Sequence, residues 1–335
     1  MSPRTPRDWY RRERRSPRVG RLALLLASRI WAWATARRLA QGRPVDPGAP
    51  VICVGNLTVG GTGKTPVVRA LTAMLAARGR RPAVLLRGHG GRARGPLRVD
   101  PARHDALEVG DEALMMAGDA APVWIARNRA AGALAAAAAG AEVIVMDDGH
   151  QNPDLAKALS LIVVDAETRD DEWPFGDGSV FPAGPLREPF AVGLARADAV
   201  ILLAPADLGR IDPELLGLFG DLPVLVARLV AVAPPPSGRQ IAFAGIGKPW
   251  KMERALKAAG CDLVDFAPMA DHAPIGEGTL RFLADRAAAL GAGLVTTEKD
   301  WARLSPAWRA RVVPWPVRAV FDDEAAAWDL IAGLI

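Results

Sequence analysis

Residues 51–66, VICVGNLTVGGTGKTP, limit what this chain can fold into more than any other stretch. An apolar run, a glycine-rich turn and a helical run opening on Lys64-Thr65 read as a buried strand, a phosphate loop and a helix. The backbone N–H groups from Gly60 through Gly61, Thr62 and Gly63 to Lys64 would face an anion-sized hollow, and the helix N-terminus adds partial positive charge. Lys64 would reach the terminal phosphates and the Thr65 hydroxyl a Mg²⁺ ion. One position departs from the full pattern: where a glycine is expected six residues before the lysine, the chain has Thr58.

Beyond this loop the chain alternates apolar strand-like runs with helical stretches, the pattern of a doubly wound, mostly parallel sheet. The runs RPAVLLRGHG, APVWIA, AEVIVMDDG, LSLIVVDA, ADAVILLA and LPVLVARLV supply its strands. Pro234, Pro235 and Pro236 cannot sit inside a helix or sheet and mark a boundary, after which the alternation restarts. The expected architecture is α/β, a P-loop NTPase-type doubly wound sheet with a second, smaller α/β lobe and an N-terminal amphipathic membrane helix. Its divisions are 1–45 for the basic N-terminal segment, 46–232 for the kinase-like core and 233–335 for the smaller lobe.

Charge is unevenly spread. The first 50 residues hold twelve arginines against Asp8, Glu13 and Asp46, while the whole chain has a net charge of only +5, so the remainder is slightly acidic. A basic end on an acidic body suits an anionic surface. The adjoining RLALLLASRIWAWATARRLA is apolar and tryptophan-rich, but Arg29 interrupts it near the centre, which argues against a membrane span. A helix lying in the interface fits better, with Trp31 and Trp33 at headgroup depth and Arg37 and Arg38 reaching phosphates. No nucleic-acid reading module is present. Two distant cysteines, Cys53 and Cys261, offer no disulfide framework.

Several short stretches carry chemistry. VIVMDDGHQ delivers Asp147 and Asp148 to the carboxyl end of a strand, where open α/β sheets bind ligands and a divalent cation would relieve their repulsion. GDE presents Asp111 and Glu112 at a helix start, a pattern that an N-terminal cap alone would also explain. FPAGPLREP is a proline-stiffened loop presenting Arg187, suited to phosphate or carboxylate. MADHAP places Asp271 and His272 in a loop of the second lobe.

Taken in order, VGNLTVGGTGKTP, LLRGHGG, VGDEALMM, VMDDGHQN, FPAGPLREP, FAGIGKP, DHAP and TTEKDWARL closely resemble the tetraacyldisaccharide 4′-kinases, the lipid A 4′-kinases of Gram-negative bacteria. The resemblance implies ATP- and Mg²⁺-dependent transfer of the γ-phosphate to the 4′-hydroxyl of a lipid-bound, tetraacylated glucosamine disaccharide 1-phosphate. It places the work on an anionic membrane surface at the cytoplasmic face of the inner membrane, with no nucleic acid and no obligate protein partner. It implies Asp111 as base with His272 as its partner across the interlobe cleft, and Lys64 and Arg187 as catalytic cations. Gly60 to Thr65 would hold the nucleotide, Thr65, Asp147, Asp148 and Glu112 would surround the metal, and Gln151 would be a further site residue. Three positions depart from the family's wording. Ala273 stands where a second histidine is common, His89 where tyrosine is frequent, and His150 where another residue is usual. A kinase for a soluble metabolite and a membrane-associated NTPase switch are the alternative readings.

Overall fold

The computed structural model describes residues 7–12, 18–119, 121–271 and 275–335. In chain order its strands are β1 (Val51–Gly55), β2 (Pro82–Leu86), β3 (Leu97–Arg98), β4 (Val123–Ile125), β5 (Val143–Asp147), β6 (Leu159–Asp165) and β7 (Ala199–Pro205). They continue with β8 (Val224–Ala231), β9 (Arg239–Ala244), β10 (Asp262–Pro268), β11 (Gly293–Thr296), β12 (Val313–Pro314) and β13 (Val317–Phe321). Among the described residues the first sheet has nine strands in the order β13-β8-β7-β6-β1-β5-β2-β4-β3. All neighbours pair in parallel except the two edges, β3 and β13. Parallel strands covered on both faces read as continuous apolar runs; β1, β2, β5 and β6 are indeed buried along their whole length.

β1 lies between β5 and β6, so the winding reverses beside the phosphate loop, where an open sheet leaves a crevice at its carboxyl edge. The register sets Val54 opposite Asp147, and the Asp148 N–H donates to the Val54 carbonyl at 2.9 Å. The loop and the acidic pair are therefore neighbours by strand pairing. The helix α2 (Lys64–Ala77) covers this crossing with Val67, Val68, Leu71 and Leu75, all fully buried against Ile52, Val54 and Val84.

The second sheet, β10-β9-β11-β12, is entirely parallel and packs Ile241, Phe243 and Leu294 against Leu280, Leu283 and Trp308. It does not extend to the C-terminus. β13 crosses back to pair antiparallel with β8, and Ala327 and Ile331 of the closing helix Glu324–Ala332 join the core of the first sheet. The residues after 316, read from sequence as part of the smaller lobe, belong to the larger one because Val317 to Phe321 complete its edge.

The helix α1 (Arg18–Ala40) turns the usual arrangement inside out. Its buried positions are the polar Ser28 and Thr35, whereas Leu22, Leu26, Ile30 and Trp33 are each more than half exposed. The Ser28 hydroxyl donates to the Val180 carbonyl at 2.6 Å and accepts from the Ala183 N–H at 3.1 Å, and Arg21 pairs with Asp177 at 2.8 Å. Among the described residues no helix is long and apolar enough to cross a membrane.

Candidate active site

The phosphate loop has the backbone its sequence demands. Gly60 and Gly63 take φ of 104° and 79°, the left-handed region that glycine occupies without strain. Thr58 needs no such freedom: its φ is not positive, it bridges Leu186, and its carbonyl accepts from Asn56 Nδ2 at 2.8 Å and Arg187 Nε at 3.0 Å. The position therefore needs no glycine, and its backbone carbonyl anchors the loop that carries Arg187. Asn56 also donates to the Thr62 hydroxyl at 3.1 Å, tying both ends of the phosphate loop together.

Asp148 is the meeting point of the cations. Arg187 Nη1 lies 2.7 Å and Lys64 Nζ 3.4 Å from its Oδ1, with the backbone at φ 53° aiming the side chain out of the strand end. Burial opposes its charge, but Lys64 and Arg187 outweigh burial and hold the carboxyl well below the usual range. Asp147 lies on the other side of this balance. Burial, with Glu112 and Asp148 adding repulsion, pushes its carboxyl up to about 7. Gln151 fastens the group, donating to the Asn56 carbonyl at 3.0 Å and to Glu188 at 2.9 Å, and accepting from Arg187 at 3.3 Å.

The acids of the GDE stretch lie across from the second lobe. The Asp111 carboxylate, nearly buried, accepts from Arg303 Nε at 2.7 Å and again from Nη2, and its Oδ1 accepts from the Glu112 N–H at 2.9 Å. Glu112 pairs with Lys299 at 2.9 Å, and Lys299 stands 3.8 Å from Asp271. His272, expected as the partner of Asp111, lies outside the described residues. The helix Glu298–Ala302 and its C-cap Arg303 therefore supply cations to both acids, which the sequence reading did not anticipate. TTEKDWARL was visible there only as a family word, since pairings between residues almost two hundred positions apart leave no local pattern.

Other contributors also escaped sequence reasoning. Arg129, 5% exposed, donates to the Ala126 carbonyl at 2.6 Å and lies within the field of Asp147 and Asp148; burial and Arg87 pull it down to about 10. Gly61 meets Gly247 of the second lobe so closely that a Cβ on Gly247 would fall 2.5 Å from the Gly61 nitrogen. Next to this contact Lys248, buried, pairs with Asp165 at 2.7 Å and lies 4.0 Å from the Tyr10 ring centroid, while the Tyr10 hydroxyl donates to the Val59 carbonyl. The N-terminal segment, phosphate loop and second lobe are joined at this point. His150 has a structural position: 1% exposed, its Nε2 bonds the Gly193 carbonyl at 2.9 Å and Nδ1 the Ser160 hydroxyl at 3.0 Å, and burial lowers it to about 4.

Among the described residues no group of three or more His, Cys, Asp or Glu side chains is placed to enclose a metal ion. Asp147 Oδ1 is nonetheless buried without a hydrogen-bond partner. A buried carboxylate oxygen in that state, beside a second carboxylate and a phosphate loop, fits a Mg²⁺ ion held jointly by phosphates and one or two carboxylates.

Comparison with known proteins gives a consistent result. A family model described as tetraacyldisaccharide-1-P 4′-kinase matches residues 20–335. The chain is 64% identical over 330 residues to the tetraacyldisaccharide 4′-kinase of Phenylobacterium zucineum, covering 98% of this chain and 99% of that one. Against the enzyme of the same name from Rhodospirillum centenum the identity is 50% over 336 residues, covering 99% and 97%. A crystal structure described as the "apo" form of LpxK from Aquifex aeolicus in complex with ATP superposes with a TM-score of 0.74 at 25% identity, covering 94% of this chain and 99% of that one.

Proposed function

The chain belongs to the tetraacyldisaccharide-1-P 4′-kinase family, and on that premise we propose how its own residues carry out the transfer. The enzyme moves the γ-phosphate of ATP to the 4′-hydroxyl of the tetraacylated glucosamine disaccharide 1-phosphate, a lipid A precursor. The observation that carries the residue assignment is the convergence of Lys64 and Arg187 on Asp148 Oδ1, beside the phosphate loop and facing the Asp111 cleft.

Phosphoryl transfer asks mainly for positioning and for neutralisation of charge on the transferred group. Gly60 to Lys64 cradle the phosphates through their N–H groups. Lys64 and Arg187, which here neutralise Asp148, would turn their charge to the γ-phosphate. Asp147 and Asp148, with the Thr65 hydroxyl and Glu112, would hold Mg²⁺, which would supply charge neutralisation for the transfer. Asp111 accepts the proton of the 4′-hydroxyl, its carboxylate fixed in place by the double contact with Arg303. His272, carried over from the family's wording, assists Asp111.

The outward apolar face of α1, with Trp33 at its rim, rests on the membrane that holds the acceptor, at the cytoplasmic face of the inner membrane. Residues 1–45, 46–232 with the returning 317–335, and the second lobe act as anchor, core and clamp. γ-labelled ATP, offered with and without purified tetraacyldisaccharide 1-phosphate, tests the reading: label is expected in the lipid. Label only in inorganic phosphate, or only in a soluble acceptor, would overturn it.

A further inference from the structure

Tyr10, the only tyrosine in the chain, is 2% exposed although it stands in the basic N-terminal segment. Terminal residues are ordinarily poorly ordered unless something ties them down. Here the tie is extensive. Trp9 packs edge-on against Phe181 with 5.9 Å between ring centroids, and Arg11 forms an antiparallel bridge with Glu172. Arg12 pairs with Glu214 at 2.6 Å and lies over the Trp173 ring, 3.7 Å from its centroid. The Trp173 N–H donates to the Tyr10 carbonyl at 2.6 Å.

The tyrosine side chain ends on the phosphate loop. Its hydroxyl donates to the Val59 carbonyl, while the Val59 N–H donates to the Pro185 carbonyl at 2.7 Å. The Val59–Gly60 peptide is trans, so its carbonyl and the Gly60 N–H point in opposite directions within one plane. Holding the carbonyl therefore aims the Gly60 N–H, the first donor of the phosphate cradle. The hold matters because Gly60, with φ of 104°, and Gly61 lack the Cβ that would otherwise restrict rotation of this plane. Lys248 Nζ lies 4.0 Å from the Tyr10 ring centroid, and its neighbour Gly247 is the residue that meets Gly61. Burial raises the phenol to about 12, so the donor keeps its proton at neutral pH. We propose that Tyr10 is a positioning residue of the kinase: through the Val59 carbonyl it fixes the Gly60 N–H towards the nucleotide phosphates, so that the N-terminal segment completes the ATP site. The proposal rests on the kinase reading above.

The test uses the full chain and three variants. Tyr10→Phe keeps the ring and loses the hydroxyl, Tyr10→4-aminophenylalanine returns a donor at the same place, and Arg12→Gln loosens the segment without touching the loop. ATP dissociation constants come from fluorescent-nucleotide titration with Mg²⁺, and the KM for the tetraacyldisaccharide 1-phosphate from assays in uncharged micelles. Tyr10→Phe should weaken ATP binding about fivefold or more, the effect of losing one hydrogen bond to a carbonyl that is then left unpaired. Its acceptor KM should stay within about twofold of wild type, as should both constants of Arg12→Gln, whose ion pair is partly exposed. Tyr10→4-aminophenylalanine should recover part of the ATP affinity. In 3-fluorotyrosine-labelled wild type the single ¹⁹F resonance belongs to Tyr10, and it should shift when ATP and Mg²⁺ are added. A Tyr10→Phe enzyme that binds ATP as wild type does, or a fluorine signal that ATP does not move, overturns the proposal. So does an Arg12→Gln variant with the same loss of ATP affinity, which assigns the effect to seating of the segment as a whole. Wild type that binds ATP yet labels no lipid instead defeats the kinase reading, and the titration still decides the role of Tyr10.

Discussion

The indole N–H of Trp31 donates to the backbone carbonyl of Arg187 at 3.0 Å, and the Trp31 ring lies 4.8 Å from that of Phe181. The helix whose apolar face points away from the protein thus braces the loop that carries Arg187. By sequence Trp31 and Trp33 share one task at a membrane; the structure separates them, since Trp31 is engaged with the loop and Trp33 is 61% exposed.

Trp31→Phe should keep the ring contact but lose the hydrogen bond, and Trp31→Ala should lose both. A neutral hydrogen bond contributes about 1 kcal/mol, or roughly fivefold. In detergent micelles, where membrane attachment is irrelevant, kcat should fall by about that factor for Phe and further for Ala, with the KM for ATP unchanged. Equal activity of both variants and wild type in micelles would show that the brace does not matter.

Asp111→Asn should bind ATP normally by fluorescent-nucleotide titration, yet lose on the order of 10²–10⁴ in turnover, the usual share of a general base. Lys64→Ala should cripple turnover with any acceptor. An Asp111→Asn enzyme with near-normal turnover would remove Asp111 from the base role.

Asp147 predicts a stability gain at the expense of activity. Its folded carboxyl sits near 7, above the ordinary carboxylate value, so the folded protein binds the extra proton and loses stability as pH rises from about 4 to about 7. Asp147→Asn escapes that loss. Without divalent cations its melting temperature should exceed that of wild type at pH 8, and the difference should vanish towards pH 4. A variant less stable than wild type at pH 8 would contradict this.

His150 runs in the opposite direction. Its folded value near 4 lies below the ordinary imidazole value, so its contribution is complete above about 6.5 and is lost as pH falls towards 4. Up to roughly 3 kcal/mol is involved. Denaturant midpoints across this range should fall more steeply with acid for wild type than for His150→Gln, which cannot take up the proton.

The phosphate loop, the acidic pair and the parallel core were legible because each is written in contiguous residues: strand, glycines, Lys-Thr, then strand and Asp-Asp. Arg303 on Asp111, Lys299 on Glu112 and Trp31 on Arg187 were not, since each joins residues far apart in the chain and an arginine on a helix looks the same whether paired or solvated. Thr58 looked like a blemish in a phosphate loop; it is the residue that fastens the Arg187 loop to it. β13 was missed because a five-residue strand with an arginine in it, after the last turn of one lobe, does not state which sheet it will join.

The second sheet leaves the first after β8 and returns as β13, and these two strands are neighbours, with Ala231 opposite Val317. Val232 donates to the Pro316 carbonyl at 3.0 Å and the Trp315 indole to the Ala233 carbonyl at 3.1 Å, so the outgoing and incoming crossings are bonded to each other. A lobe mounted on such a pair can swing about it like a door but cannot easily swivel. In chain terms the door is an insertion between two adjacent strands. A shortening of the chain from its C-terminus therefore strikes the wall of the large domain before it removes any of the clamp.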